Sequence, residues 1–255
     1  MVAIAVFTGI AGSGKTSLVH AYNEWLSKNF MRPGIVNLDP GAEELPYKPV
    51  FDIRRFFTIE EVMRRYNLGP NGAFVKASEL VLENAERIVE SEPFINIEDY
   101  DMILVDTPGQ MEAFIFRPST GIFFRKLALR GNIVLAYLID ASSISNVVDA
   151  ITVWFIYVLL QVKTGLVTVP VISKIDAALR PEIIRLLVEN PEKLTLLAES
   201  ETTGLGHEVI PDLVEIAKKT KGPFRTVAVS ARNMTGLEML HALLHEAFCA
   251  CGDLT

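Results

Sequence analysis

The string GIAGSGKT, Gly9 to Thr16, constrains the fold of this chain more than any other stretch. It matches G-x-x-x-x-G-K-[ST]. It also stands where that pattern works, after the apolar run VAIAVFTG (Val2–Gly9) and before a helical pattern from about Lys15 to Lys28. Glycines let a backbone wrap phosphate oxygens closely, while the loop N–H groups and the helix N-terminus point at the anion. On this reading Gly12, Ser13, Gly14, Lys15, Thr16 and Ser17 hold a nucleotide. Lys15 reaches the β- and γ-phosphates and the Thr16 hydroxyl is a magnesium ligand.

The remaining pattern supplies a sheet for that loop. GIVNLDP (Gly34–Pro40), MILVDTPG (Met102–Gly109), IVLAYLID (Ile133–Asp140), VPVISKID (Val169–Asp176) and RTVAVSA (Arg225–Ala231) read as further strands. Near-continuous apolar runs suit strands covered on both faces of a parallel sheet. Helical patterns lie between them, including Thr58–Tyr66, Ser78–Glu90 and Thr235–Phe248; the first and third open with Thr and Glu at capping-box spacing. The alternation predicts an α/β fold, a doubly wound and mostly parallel sheet of about six strands with helices on both faces. One domain over residues 1–255 is expected, with helical insertions at about 52–98 and about 180–222.

Bulk properties narrow the function classes. Half of the chain is apolar, enough for a large core. A net charge of −7, and no cluster of Lys/Arg with aromatics, argue against nucleic-acid binding. Two cysteines, Cys249 and Cys251, make no disulfide framework, so a reducing cytoplasm is the default. The start of the chain lacks the basic region of a signal peptide. Val147–Val162 is the most membrane-like segment, but Asp149 interrupts it and leaves about a dozen apolar residues, short of a bilayer span. It reads either as a core helix or as part of a subunit or client interface. His241, His245 and Cys249 share a helical face, but a full zinc site needs four ligands and none completes this one.

Two further strings extend the phosphate loop. In DTPGQ (Asp106–Gln110) a carboxylate at a strand end can hold magnesium through water. Gly109 can give its N–H to a γ-phosphate, and Gln110 stands where guanine-nucleotide switches place the glutamine that orients water. SKID (Ser173–Asp176) resembles the [NT]-K-x-D guanine motif of GTPases. One carboxylate, Asp176, can accept guanine's adjacent ring N–H and amine, which adenine lacks in that arrangement, and the Lys174 stem can cover the base. Ser173 departs from the motif, because its hydroxyl is shorter than an asparagine amide. SAR (Ser230–Arg232) resembles the S-A-[KR] element whose alanine N–H meets the guanine oxygen, with Ser230 and Ala231 as the contacts.

Gly69-Pro70-Asn71 by itself is turn chemistry. In the order phosphate loop, NLDPGAEELPY (Asn37–Tyr47), GPN, DTPGQME (Asp106–Glu112), SKID, SAR and a terminal CGDLT, the chain resembles the archaeal GPN-loop GTPases along essentially its whole length. The resemblance implies a homodimeric, magnesium-dependent P-loop GTPase that converts GTP to GDP and phosphate. The GPN loop of each subunit (Gly69, Pro70, Asn71) would then sit in the partner's site, with Asn71 near the phosphates in trans. It places Asp39 in a first switch near magnesium and the attacking water, with Gln110 and Glu112 in a second. Lys15, magnesium and Asn71 would stabilise charge. It further implies control of a protein client such as RNA polymerase; the acidic charge balance, a local basic patch aside, points to neither direct nucleic-acid contact nor a membrane. A P-loop ATPase, a small-molecule phosphotransferase and a nucleotide-stabilised scaffold are the alternatives. Arg54, Arg55 and Arg117 are candidate arginine fingers, or plain solvated or ion-paired residues.

Overall fold

The computed structural model describes residues 2–189, 193–201, 204, 208–213, 215 and 225–252. Its strands are β1 (Ala3–Gly9), β2 (Pro33–Asn37), β3 (Phe51–Asp52), β4 (Met102–Asp106), β5 (Asn132–Asp140), β6 (Thr168–Ser173) and β7 (Val227–Ala228). They form one sheet in the order β3-β2-β4-β1-β5-β6-β7, parallel at every pairing. The sheet has seven strands where the sequence pattern predicts six. The addition, β3, pairs Phe51 with Val36 and Asp52 with Asn37 at one edge, and two residues are too few to show a period.

β1 lies at the centre, and alternate side chains enter opposite layers. Ile4 and Val6 join one core cluster and Ala5 and Phe7 the other, all fully buried. The chain runs from β1 out to β2 and returns to β4, and β5 continues on the far side. The carboxyl end of β1 is therefore a topological switch point, where open α/β sheets bind ligands.

One face carries α1 (Lys15–Lys28) and α10 (Leu237–Gly252). α10 begins at Leu237 because the Thr235 backbone is engaged with Ser230 in an antiparallel bridge. The other face carries α3 (Pro70–Glu83), α4 (Ala85–Val89), α5 (Met111–Ile115), α6 (Thr120–Ala128), α7 (Val147–Thr164), α8 (Pro181–Glu189) and α9 (Leu194–Glu201). α2 (Ile59–Tyr66) packs on α3 through a satellite cluster of Val62, Ala73 and Ala77, and opens with the expected capping box between Thr58 and Glu61. The expected helix Ser78–Glu90 is in fact α3 and α4, divided at Asn84, and it starts eight residues early. Pro70 occupies the first position of α3, where its fixed φ and missing N–H suit a helix start. The GPN string thus opens a helix.

α7 is capped by the Asn146 side chain on the Asp149 N–H and ends at Gly165, φ 66°. Val147, Ala150, Ile151, Trp154, Tyr157, Val158 and Leu160 face the core, while Val148, Leu159 and Val162 are exposed. The helix is longer than the apolar run predicts, because Asp149 lies inside its first turn, and by length and composition alone it could cross a membrane, but this buried face is built into the sheet's cover. The TTGLGHE loop and His207 lie largely outside the described residues.

Candidate nucleotide site

The phosphate loop leaves β1 and turns through Gly12 (φ 79°) and Gly14 (φ 86°), backbone angles that suit glycine. Gly14 is the N-cap of α1. Among the described residues no side chain caps it, and no acid sits in the first turn. Such a helix start is open to an anion. The Lys15 ammonium is buried and donates to the carbonyls of Gly9 (2.8 Å), Ile10 (3.0 Å) and Gly109 (3.3 Å). Burial lowers its pKa, and the charges of Asp106, Asp39 and Glu112 oppose that shift. These same neighbours show that the structure brings the three acids named from sequence around one lysine.

Asp39 is fixed at both oxygens. Oδ1 accepts the Gly41 N–H at 2.9 Å and Oδ2 the Gly109 N–H at 3.0 Å. Burial nevertheless raises its pKa. The loop around it is braced from below: Asn37 donates to Asp52 and accepts the Asp39 N–H, and Asp52 holds Arg54, which also donates to the carbonyls of Ala42 and Glu43. Arg54 is therefore a brace, and Arg117 is ion-paired with Glu79 at 3.2 Å; Arg55 stays exposed. Gln110 is the N-cap of α5, and Glu112 lies exposed in its first turn.

Asp106 ends β4 and is wholly buried. Burial pushes its pKa up to about 6, against the Tyr47 hydrogen bond and the nearby Thr16 hydroxyl, which lower it. Oδ2 accepts the Tyr47 hydroxyl at 2.6 Å, and Oδ1 has no hydrogen-bond partner among the described residues. A buried orphan carboxylate oxygen, the Thr16 hydroxyl and the Asp39 carboxylate form an oxygen donor set that suits a hard cation such as Mg2+.

At the other end a cavity of about 230 Å³ is lined by Gly14, Ser17, Lys174, Asp176, Ala231 and Arg232. Ser173 replaces asparagine without losing the tie to the phosphate loop: its buried hydroxyl donates to the Ser13 carbonyl at 2.7 Å. Lys174 adopts φ 53°, and its stem passes 3.5 Å from the Cβ position of Gly14. Its ammonium pairs with Asp140 at 2.7 Å. Ser230 donates to Asp176 Oδ1 at 2.5 Å and accepts the Asn233 N–H. Asp140 escaped sequence reasoning, although its signal matches that of Asp106: an acid closing an apolar strand. Tyr47 has no such signal, because its partner lies 59 residues away.

Gly69, Pro70 and Asn71 are exposed at the start of α3. One turn further on, Phe74 packs against Gly41, where an added Cβ would meet its ring at 2.6 Å. Glu79 of the same helix pairs with Arg117. The GPN helix thus touches the Asp39 loop and the segment after α5 within one chain. At the C-terminus, His241 is hydrogen-bonded to the Tyr22 hydroxyl at 2.8 Å, and His245 lies 3.7 Å from Cys249. Among the described residues no three His, Cys, Asp or Glu side chains gather to hold a metal. The Cys251 side chain lies outside the described residues.

A parallel sheet with a glycine-rich phosphate loop at its central strand, and a carboxylate ending the adjacent one, defines a P-loop nucleotidase. Comparison with known proteins agrees. Residues 7–250 match a family described as a conserved hypothetical ATP binding protein. The chain is 34% identical over 258 residues to a GPN-loop GTPase of Pyrococcus abyssi, covering 99% of this chain and 100% of that one. It is 32% identical over 171 residues to GPN-loop GTPase 1 of Saccharomyces cerevisiae, covering 66% of this chain and 43% of the yeast protein. The crystal structure of a GTPase in apo form from Pyrococcus abyssi superposes with a TM-score of 0.81 at 31% identity, covering 97% and 98% of the two chains. The chain belongs to the GPN-loop GTPases, P-loop enzymes that hydrolyse GTP.

Proposed function

We propose that this GTPase is a magnesium-dependent, homodimeric switch that reads guanine through Asp176 and controls a protein client in the cytoplasm. The observation that carries the base reading is the placement of Asp176, held by Ser230 on a cavity that Lys174 roofs and Ser173 ties to the phosphate loop. A carboxylate there accepts both guanine donors, which favours GTP over the ATP named in the family description.

Catalysis divides by residue. Gly12 to Ser17 bind the phosphates, and Lys15 neutralises charge that develops on them. Thr16, Asp106 and Asp39 are the residues that would hold magnesium, which when bound neutralises charge on the phosphate oxygens. Gln110, Glu112 and Asp39 orient the attacking water. The Asp39 carboxylate occupies the Gly109 N–H assigned to the γ-phosphate. GTP therefore competes with Asp39 for that donor and frees it toward the water. Exposure of Asn71 at a helix start supports delivery of its amide to a partner's site. The exposed side of α7, with Val148, Leu159 and Val162, is offered to a client of the RNA polymerase kind implied by the family resemblance.

Phosphate release from GTP and ATP with Mg2+, over a protein concentration series, tests this. GTP-selective release with specific activity rising with concentration is expected. Asn71→Ala and Lys15→Ala should each be inactive alone and recover turnover on mixing, because the mixed dimer holds one intact site. ATP-selective release would overturn the base reading, and failure to recover would overturn the shared site.

A further inference from the structure

Tyr47 is a buried polar side chain to which the proposed reaction gives no part. It lies at the end of the Asn37–Tyr47 segment, 8% exposed, with its ring packed in the α1-side core. Its hydroxyl donates to Asp106 Oδ2 at 2.6 Å. Asp106 Oδ1 keeps no partner among the described residues, and Thr16 stands beside the same carboxylate. A carboxylate with one oxygen tied cannot rotate freely about its terminal torsion, which is otherwise broad and two-fold.

The geometry points to Tyr47 as a positioning residue for the cation site: by fixing Asp106 Oδ2 it leaves Oδ1, the oxygen without a partner among the described residues, free to take the cation. This rests on the assignment of Asp106 and Thr16 to magnesium. Partners that orient a metal-directed carboxylate typically change metal affinity 10- to 100-fold when removed. The segment carrying Tyr47 also carries Asp39, so it grips the end of β4 twice, at Asp106 and at Gly109. Ordering that segment and ordering the cation's carboxylate are then one event.

The test is Tyr47→Phe, which removes one hydroxyl and keeps the ring. Release of a fluorescent GDP is followed across a Mg2+ titration and in EDTA. We expect release in EDTA to stay within about twofold of wild type, and the Mg2+ midpoint to rise about tenfold. On an Asp106→Asn background the same change should shift nothing further, because Tyr47 acts through that carboxylate. Para-aminophenylalanine at position 47 keeps a donor in the same place and should return the midpoint to within about threefold of wild type. A midpoint unmoved in Tyr47→Phe would overturn the proposal and leave Tyr47 as packing, to be seen as a lowered Tm alone. If Tyr47→Phe does not fold, a raised midpoint in the para-amino variant would overturn it instead. If Asp106→Asn also leaves the wild-type midpoint in place, the magnesium assignment itself fails, which is a separate result.

Discussion

The two ends of the nucleotide site are built on opposite electrostatic principles. At the base end, charges are matched inside the chain. Burial pushes Asp140 up, but Lys174 and the Ser142 hydroxyl and N–H outweigh it and hold the carboxyl below its usual range. At the phosphate end burial wins. Asp39 and Asp106 are raised and Lys15 is lowered, although they are neighbours. One end is satisfied before anything binds, whereas the other holds acids and a lysine in an environment that disfavours their charged forms. An end whose charges are already matched can still discriminate, because the acceptors Asp176 offers reject a ligand that does not complete them. An unsatisfied end can respond, because ligand charge changes its energy the most.

The largest expected break in this contrast is Asp176→Asn. It exchanges an acceptor pair for one acceptor and one donor, opposite guanine's two donors. Two hydrogen bonds to a charged group amount to about 3 kcal/mol, so GTP affinity should fall about 100-fold. A xanthine nucleotide, with an oxygen where guanine has its amine, should bind the variant better than the wild type. Competition binding reads both. Equal loss of the two nucleotides would reduce Asp176 to a structural partner of Ser230 and deny the base end its selectivity.

A smaller effect should come from Gly41→Ala, which probes the responsive end through the GPN helix. The added Cβ would sit 2.6 Å from the Phe74 ring and 3.3 Å from Asp39 Oδ1. The ring must move, and Asp39 with it. Misplacing a water-orienting group by a fraction of an ångström should lower kcat about tenfold while GDP affinity holds. Phe74→Ala on the same background should restore part of the rate. Unchanged kcat would show that α3 touches the Asp39 loop without influencing it.

Much of this contrast was legible in sequence, and what was hidden has a physical pattern. Gly9–Thr16, Ser173–Asp176 and Ser230–Arg232 are local strings at strand ends, and residues of all three line one cavity. α1 has the bounds its periodicity predicts, Lys15–Lys28. The start of α3 is ambiguous in sequence because proline is equally at home in a turn and at a helix's first residue. The satisfied state of the base end was hidden, since Lys174 meets Asp140 across 34 residues and Ser173 meets Ser13 across 160. The braces of the responsive end, Tyr47 on Asp106 and Phe74 on Gly41, are likewise side-chain meetings between segments that no single stretch encodes.

The contrast is sharpest as a difference in sign. With a folded pKa near 6 against about 3.8 unfolded, the Asp106 carboxyl binds its proton more tightly in the native state. Stability from this group is then greatest below about pH 4, falls as pH rises toward 6, and stays reduced above it. The reduction is at most about 3 kcal/mol, at about 1.4 kcal/mol per pH unit. In nucleotide-free protein with EDTA at pH 7.5, Asp106→Asn should therefore raise Tm by roughly 2 to 8 °C, and near pH 4 the gain should vanish. The Tyr47 hydroxyl still finds an amide oxygen to donate to. Asp140→Asn should do the reverse at pH 7.5, because it strips Lys174 of its partner. Its loss should be smaller, about 1 kcal/mol, since the Lys174 side chain is 38% exposed and solvent screens the pair. Two strand-ending aspartates in one sheet would thus answer the same substitution with opposite shifts. If both lowered Tm, the phosphate end would be as satisfied as the base end, and its orphaned oxygen would have to be partnered in solution.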